Sequence, residues 1–169
     1  MRTDPQPAAD ERTTLVEFVE FHRATVLNKI AGLTHEQLNR ALVPSGTTMA
    51  GLVKHLALVE DSWFTDRLLG APLPEPWASA PFDDDVDWDF HSAHLDTPEE
   101  LAVLYGAACE RSRAAVAAIA DLDTRTAVPT SSGEVVNLRW ILVHMVEEIA
   151  RHNGHLDLLR ELTDGATGE

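Results

Sequence analysis

From Asn137 to about Thr163 the apolar residues return at helical spacing, and at about 100° per residue Ile141, Met145, Leu156 and Leu159 fall on one stripe. Gly165 stands just beyond as a stop signal. A helix this long cannot bury its stripe alone, so it needs other helices to cover it. The same stripe carries Glu148 and His152, one turn apart. A lone carboxylate facing a core costs several kcal/mol unless it is protonated, paired or bound to a metal. The constraint is therefore double: the chain must bundle helices, and the bundle must neutralise Glu148.

Three further stretches carry the helical period. The first runs from about Asp10 to Ala31, with Leu15, Phe18, Val19, Val26 and Ile30 on one face and Gly32 as its stop. Thr34 and Gln37 have capping-box spacing and predict a short helical turn. The second helix is read from Thr48 through Leu52, His55, Leu56, Val59, Trp63 and Leu68 to Gly70, with His55 on its inner face. Thr97-Pro98-Glu99-Glu100 opens the third with a cap, a first-turn proline and a glutamate at the third position, and that helix continues to about Ala120. No run suggests a well-formed sheet, although Val135-Val136 could be briefly extended. The expected fold is an all-α four-helix bundle, one domain over residues 1–169.

Residues 71–96 are too many for a tight hairpin, so they are read as a crossover between the second and third helices that packs Trp77, Phe82, Trp88 and Phe90. The run Asp83-Asp84-Asp85 is read as a solvated loop. Trp63, Trp140 and Met145 are assigned to core packing, His22 and His35 to the surface. The lone Cys109 has no disulfide partner and is read as a small core residue. A formal charge of −15 disfavours nucleic acid and anionic membranes as partners, because both are bound through clustered Lys and Arg. The N-terminus lacks the basic-then-apolar order of a secretion signal, so the expected location is the cytoplasm.

His55 can approach Glu148 and His152 from the second helix, and a divalent ion held by all three would resolve the charge problem. Spacing alone leaves this open, since Glu and His pairs one turn apart also arise by chance. His144 and His155 lie on nearly the same face, either as groups that touch substrate or as partly buried polar residues. His91 and His94, with nearby aspartates, offer a rival site in the crossover. Three protein ligands leave positions open, as catalytic centres do. Zinc is the first choice of ion, and nickel, iron or manganese also suit imidazole and carboxylate.

Gly51-Leu-Val-Lys-His55-Leu-Ala-Leu-Val-Glu60-Asp-Ser-Trp63 resembles the second-helix signature of the DinB-like superfamily, and Glu148-xxx-His152-Asn-Gly-His155 resembles its fourth-helix signature. Many members carry His-xxx-His on the fourth helix. The glutamate at 148 is instead similar to the actinobacterial branch that includes the mycothiol-dependent maleylpyruvate isomerases. The resemblance implies a DinB-like bundle with a metal on His55, Glu148 and His152. Those isomerases carry a second, C-terminal domain that contributes to their active site, whereas this sequence ends soon after the fourth helix. The resemblance therefore implies a thiol transferase using mycothiol or bacillithiol rather than an isomerase: a metal-activated low-molecular-weight thiol, mycothiol first, transferred to an electrophile, with His144 and His155 as candidate catalytic groups. A noncatalytic, metal-stabilised binding protein and a metal-dependent hydrolase are the alternatives. A homodimer through an apolar helix face is also expected.

Overall fold

In a computed structural model that describes residues 2–168, the chain is helical throughout its ordered elements. Helix α1 spans Glu11–Ile30, α2 His35–Leu38, α3 Met49–Glu60, α4 Trp88–His91, α5 Pro98–Ala118 and α6 Leu138–Asp164. α1 lies along α6 and α3 along α5, and α3 also meets α6, so the four long helices enclose a common core. Val26, Leu56, Phe64, Tyr105, Ile141 and Met145 are fully buried in it. Among the described residues no strand forms. An isolated bridge joins Arg125 to Asn137, and with Thr126 N donating to the Val136 carbonyl at 2.9 Å it accounts for the brief extension expected at 135–136.

The helix starts follow local chemistry. Asp10, Thr34, Thr48, Thr97 and Asn137 each accept a hydrogen bond from an otherwise unpaired first-turn amide, and Thr34 and Thr97 complete capping boxes with Gln37 and Glu100. α6 ends at Gly165 in the left-handed conformation, φ 79°, which glycine adopts without a Cβ penalty.

Three expectations need correction. The second bundle helix is not one α-helix to Gly70: it widens into a π-helical segment over Asp61–Leu68. The widening begins where two consecutive carboxylates are both fully buried and turn to opposite neighbours. Glu60 takes a two-pronged ion pair from Arg23 of α1, at 2.7 and 2.5 Å. Asp61 takes one from Arg111 of α5, at 2.7 and 2.8 Å, and also accepts from the Trp77 indole at 2.9 Å. Second, Trp140 is 45% exposed and is not a core residue, whereas Met145 is. Third, His22 is half-buried rather than on the surface, while His35 is exposed as expected.

The crossover packs its aromatics as expected. Trp77 is buried, its ring meets Trp88 edge-on at 6.4 Å, and Trp88 meets Phe82 in the same way at 6.0 Å. It also carries two 3₁₀ turns, Trp77–Ser79 and Ala93–Leu95, with α4 between them, and α4 docks on α3. Asp83 and Asp84 are exposed. Among the described residues no helix is long and apolar enough to cross a membrane.

Candidate metal centre

α3 and α6 run side by side at the point where His55 faces Glu148 and His152. Glu148 Oε1 stands 3.3 Å from His55 Nε2 and 3.1 Å from His152 Nε2, and the two imidazoles meet edge-on with centroids 5.2 Å apart. One ligand atom from each of the three lies within 4.8 Å of the others, the only such trio of metal-ligating side chains among the described residues. The side chains of His55, Glu148 and His152 are 24%, 17% and 13% exposed, so the cluster sits at the margin of the core, where solvent and a small molecule can reach it. Two neutral imidazoles and one carboxylate form a borderline donor set with net charge −1, which suits a divalent transition ion. The three residues fit such an ion.

The crossover supplies what orients the cluster. Asp89, buried on α4, accepts from His55 Nδ1 at 2.8 Å, which fixes the ring so that Nε2 is the atom turned toward Glu148. Phe90 lies over the same imidazole, centroids 4.8 Å apart and planes 27° apart. The sequence signal for this was absent: Asp89 is one acidic residue among several in a loop, and only the docking of α4 on α3 makes it special.

Gly51, one turn before His55, makes that docking possible. A Cβ there would sit 2.9 Å from Phe90 Cδ1 and 3.2 Å from Thr48 Oγ1. Alanine favours a helix interior over glycine by about 1 kcal/mol. Gly51→Ala is therefore expected to push Phe90 off His55 and loosen Asp89 while leaving α3 intact. Zinc affinity, read by chelator competition, should fall about tenfold, as for loss of an outer hydrogen-bonding partner, with no matching fall in the thermal midpoint of the zinc-free protein.

Without a cation, protons hold the cluster together. Burial works against a charge on His55, but hydrogen bonds to Asp89 and Glu148 outweigh it and raise its pKa to about 9. Hydrogen bonds from His152 and then His55 hold the Glu148 carboxyl far below the usual carboxylate range, against a smaller opposing effect of burial. His55 has a folded pKa above its unfolded value near 6.5, so its stabilisation is fully present below that value and is lost as pH rises through about 9. The melting temperature of chelator-treated protein should accordingly fall between pH 7 and pH 9.5, and Asp89→Asn should flatten that fall.

The other candidate residues are placed as follows. His155 is exposed, and its Nδ1 lies 3.3 Å from His152 Nδ1. His144, one turn before Glu148, stacks on Trp140 at 5.1 Å and meets Trp63 at 4.9 Å. His91 and His94 do not gather into a metal-holding group: His91 Nδ1 pairs with Asp85 at 2.9 Å and His94 Nδ1 bonds the His91 carbonyl at 2.8 Å. Cys109 is buried, and burial followed by the neighbouring Glu60 carboxylate pushes its thiol up to about 12, so it stays protonated and chemically inert.

The helical bundle, without regard to its site residues, is a fold this chain shares with a solved enzyme. The crystal structure of the mycothiol-dependent maleylpyruvate isomerase superposes with a TM-score of 0.62 at 15% identity, over 88% of this chain and 61% of that one. This likeness establishes the fold, and the chain spans less than two thirds of the isomerase's length. The family model Mycothiol-S-transferase matches residues 14–165, and the chain belongs to that family. A search of curated proteins gave no match.

Proposed function

We propose that this protein is a metal-dependent thiol transferase that joins a low-molecular-weight thiol, mycothiol, to an electrophilic carbon. The observation that carries the reading is the convergence of His55, Glu148 and His152 within 4.8 Å in a chain of the mycothiol S-transferase family. These three residues would hold the ion, with zinc the first choice and nickel, iron or manganese also suited to the donors. When bound, a divalent cation with open positions favours the ionised form of an incoming thiol at neutral pH.

The chain's own residues do the rest. Asp89 fixes the His55 ring, Phe90 closes one flank of the cluster, and Glu148 supplies the negative charge that retains a cation. In the reaction a sulfur–carbon bond forms as the bond from that carbon to its leaving group breaks, and the leaving group departs with the bonding pair. The thiol proton passes to an imidazole and then to water. His155 is assigned this role over His144, because it is exposed and touches His152, whereas His144 is held between two tryptophans.

The test is direct: zinc-loaded protein, mycothiol and a bimane electrophile should give conjugate well above the zinc-free background, and His55→Ala or His152→Ala should return the rate to it. Absence of any rate above background overturns the transferase reading. If chelation then lowered the melting temperature strongly and no thiol bound, the ion would be structural and the protein a noncatalytic binder.

A further inference from the structure

Two clefts are lined by residues that touch the cluster's imidazoles, Phe90 in one and His155 in the other, although by none of the three cluster residues themselves, and they differ in chemistry. The first, of about 460 Å³, is lined by Asn39, Ser45, Thr47, Asp87, His91 and His94, and adjoins the cluster at Phe90, whose ring lies on His55. The second, of about 370 Å³, is lined by Val43, Leu158 and Leu159 and reaches the cluster through His155, which touches His152. Ser45 and Thr47 line both, and their hydroxyls bond each other at 2.9 Å, so the 43–48 loop forms a shared wall. Both volumes are in the ~300–1,000 Å³ range of small-molecule sites.

Resting on the transferase reading above, we infer that the polar cleft on the Phe90 side binds the hydroxyl-rich body of the thiol, and that the apolar cleft on the His155 side takes the electrophile. A sugar-like thiol needs many directed hydrogen-bond partners, and the first cleft presents an amide, hydroxyls, a carboxylate and two imidazoles. The imidazoles are held in place from behind: His91 and His94 each use Nδ1 within the crossover, at Asp85 and at the His91 carbonyl, which leaves Nε2 as the other ring nitrogen of each. Asn39 commits its amide nitrogen to the His35 carbonyl at 2.9 Å, so its carbonyl oxygen is the part left to accept from a hydroxyl. The second cleft is walled by aliphatic side chains and offers an apolar electrophile burial rather than directed bonds. The two substrates would thus lie in neighbouring clefts separated by the 43–48 wall. His91 and His94, which do not form a metal site of their own, acquire a role as thiol contacts.

Calorimetric titration of zinc-loaded protein with mycothiol, and with N-acetylcysteine as a thiol lacking the sugar, separates the parts of this inference. Asn39→Leu and His94→Leu should each weaken mycothiol binding about tenfold, as expected for one lost directed hydrogen bond of about 1.4 kcal/mol, and leave N-acetylcysteine binding and the KM for the bimane unchanged. Leu158→Asp, at a position 62% exposed and so tolerant of the change, should raise the KM for the bimane several-fold and leave mycothiol binding as it was. Mycothiol binding unchanged in both polar-cleft variants overturns the assignment, as does a Leu158→Asp variant that loses the thiol instead. Because the titration does not need turnover, weakened binding in a protein that makes no conjugate would uphold the thiol cleft while refuting the transferase reading. Should His94→Leu unfold, His94→Asn carries the same test.

Discussion

Glu148→Gln is expected to lower zinc affinity by more than the roughly 10–100-fold that loss of an outer partner costs, because it removes the only negative charge among the proposed ligands. Glutamine keeps the size of the side chain and can still bond His152, so packing along α6 is preserved and the change isolates charge. With the carboxylate gone, two imidazoles alone would have to hold a hydrated dication at the margin of the core, which they do weakly. The same substitution takes from His55 one of the two carboxylates that raise its pKa, leaving Asp89 alone to do so. Chelator competition reads the affinity, and the imidazole shifts of the zinc-free variant read the second effect. A variant that binds zinc as the unchanged protein does would show that Glu148 is not a ligand.

The second large effect lies away from the centre. Glu60→Ala is expected to destabilise the fold by about 3–5 kcal/mol, the usual cost of stranding one member of a buried ion pair. Arg23 and Glu60 are both buried, and the guanidinium contacts both carboxylate oxygens. Removing the carboxylate leaves a cation in the core with Glu20, at 2.6 Å, as its remaining carboxylate partner among the described residues. For a chain of this size the loss corresponds to a fall of roughly 6–20 °C in melting temperature. The double variant Arg23→Met/Glu60→Leu should recover most of it, since apolar packing of similar volume commonly equals or exceeds a buried pair. Urea unfolding of the three proteins checks both statements. A single variant within about 1 kcal/mol of the unchanged protein would mean that water reaches the pair.

What could be read from the residues in order is what depends on near neighbours. Asn137, Thr97 and Thr34 announced helix starts because a cap and the amides it satisfies lie within three positions. Glu148 and His152 announced a charge problem because one turn of helix puts them together. His55 joined them as an inner-face residue of the second helix, spacing alone left the trio open, and the resemblance of two separated motifs singled it out; the structure brings it to 3.3 Å from Glu148. What escaped was settled by pairing across the fold. The π turn that begins at Asp61 depends on Arg111, fifty residues beyond Asp61, and on Arg23, thirty-seven before Glu60. Asp89 is indistinguishable in sequence from the solvated aspartates beside it, yet it is buried on His55. Trp140, whose size suggests a core, lies on the exposed flank of α6, where a ring stacks on His144 without being enclosed. The two clefts belong to the same class, because the 43–48 loop and the crossover meet only in the folded bundle.

The claim on which the rest depends is that a cation occupies the space between α3 and α6. A crystal structure of zinc-soaked protein, purified without a metal-binding tag and measured with anomalous scattering at the zinc edge, addresses it most directly. The expected result is one strong anomalous peak about 2.0–2.2 Å from His55 Nε2, a Glu148 carboxylate oxygen and His152 Nε2. A Glu148 carboxylate turned into solvent and away from His55, with no anomalous density between the two helices, would contradict the account.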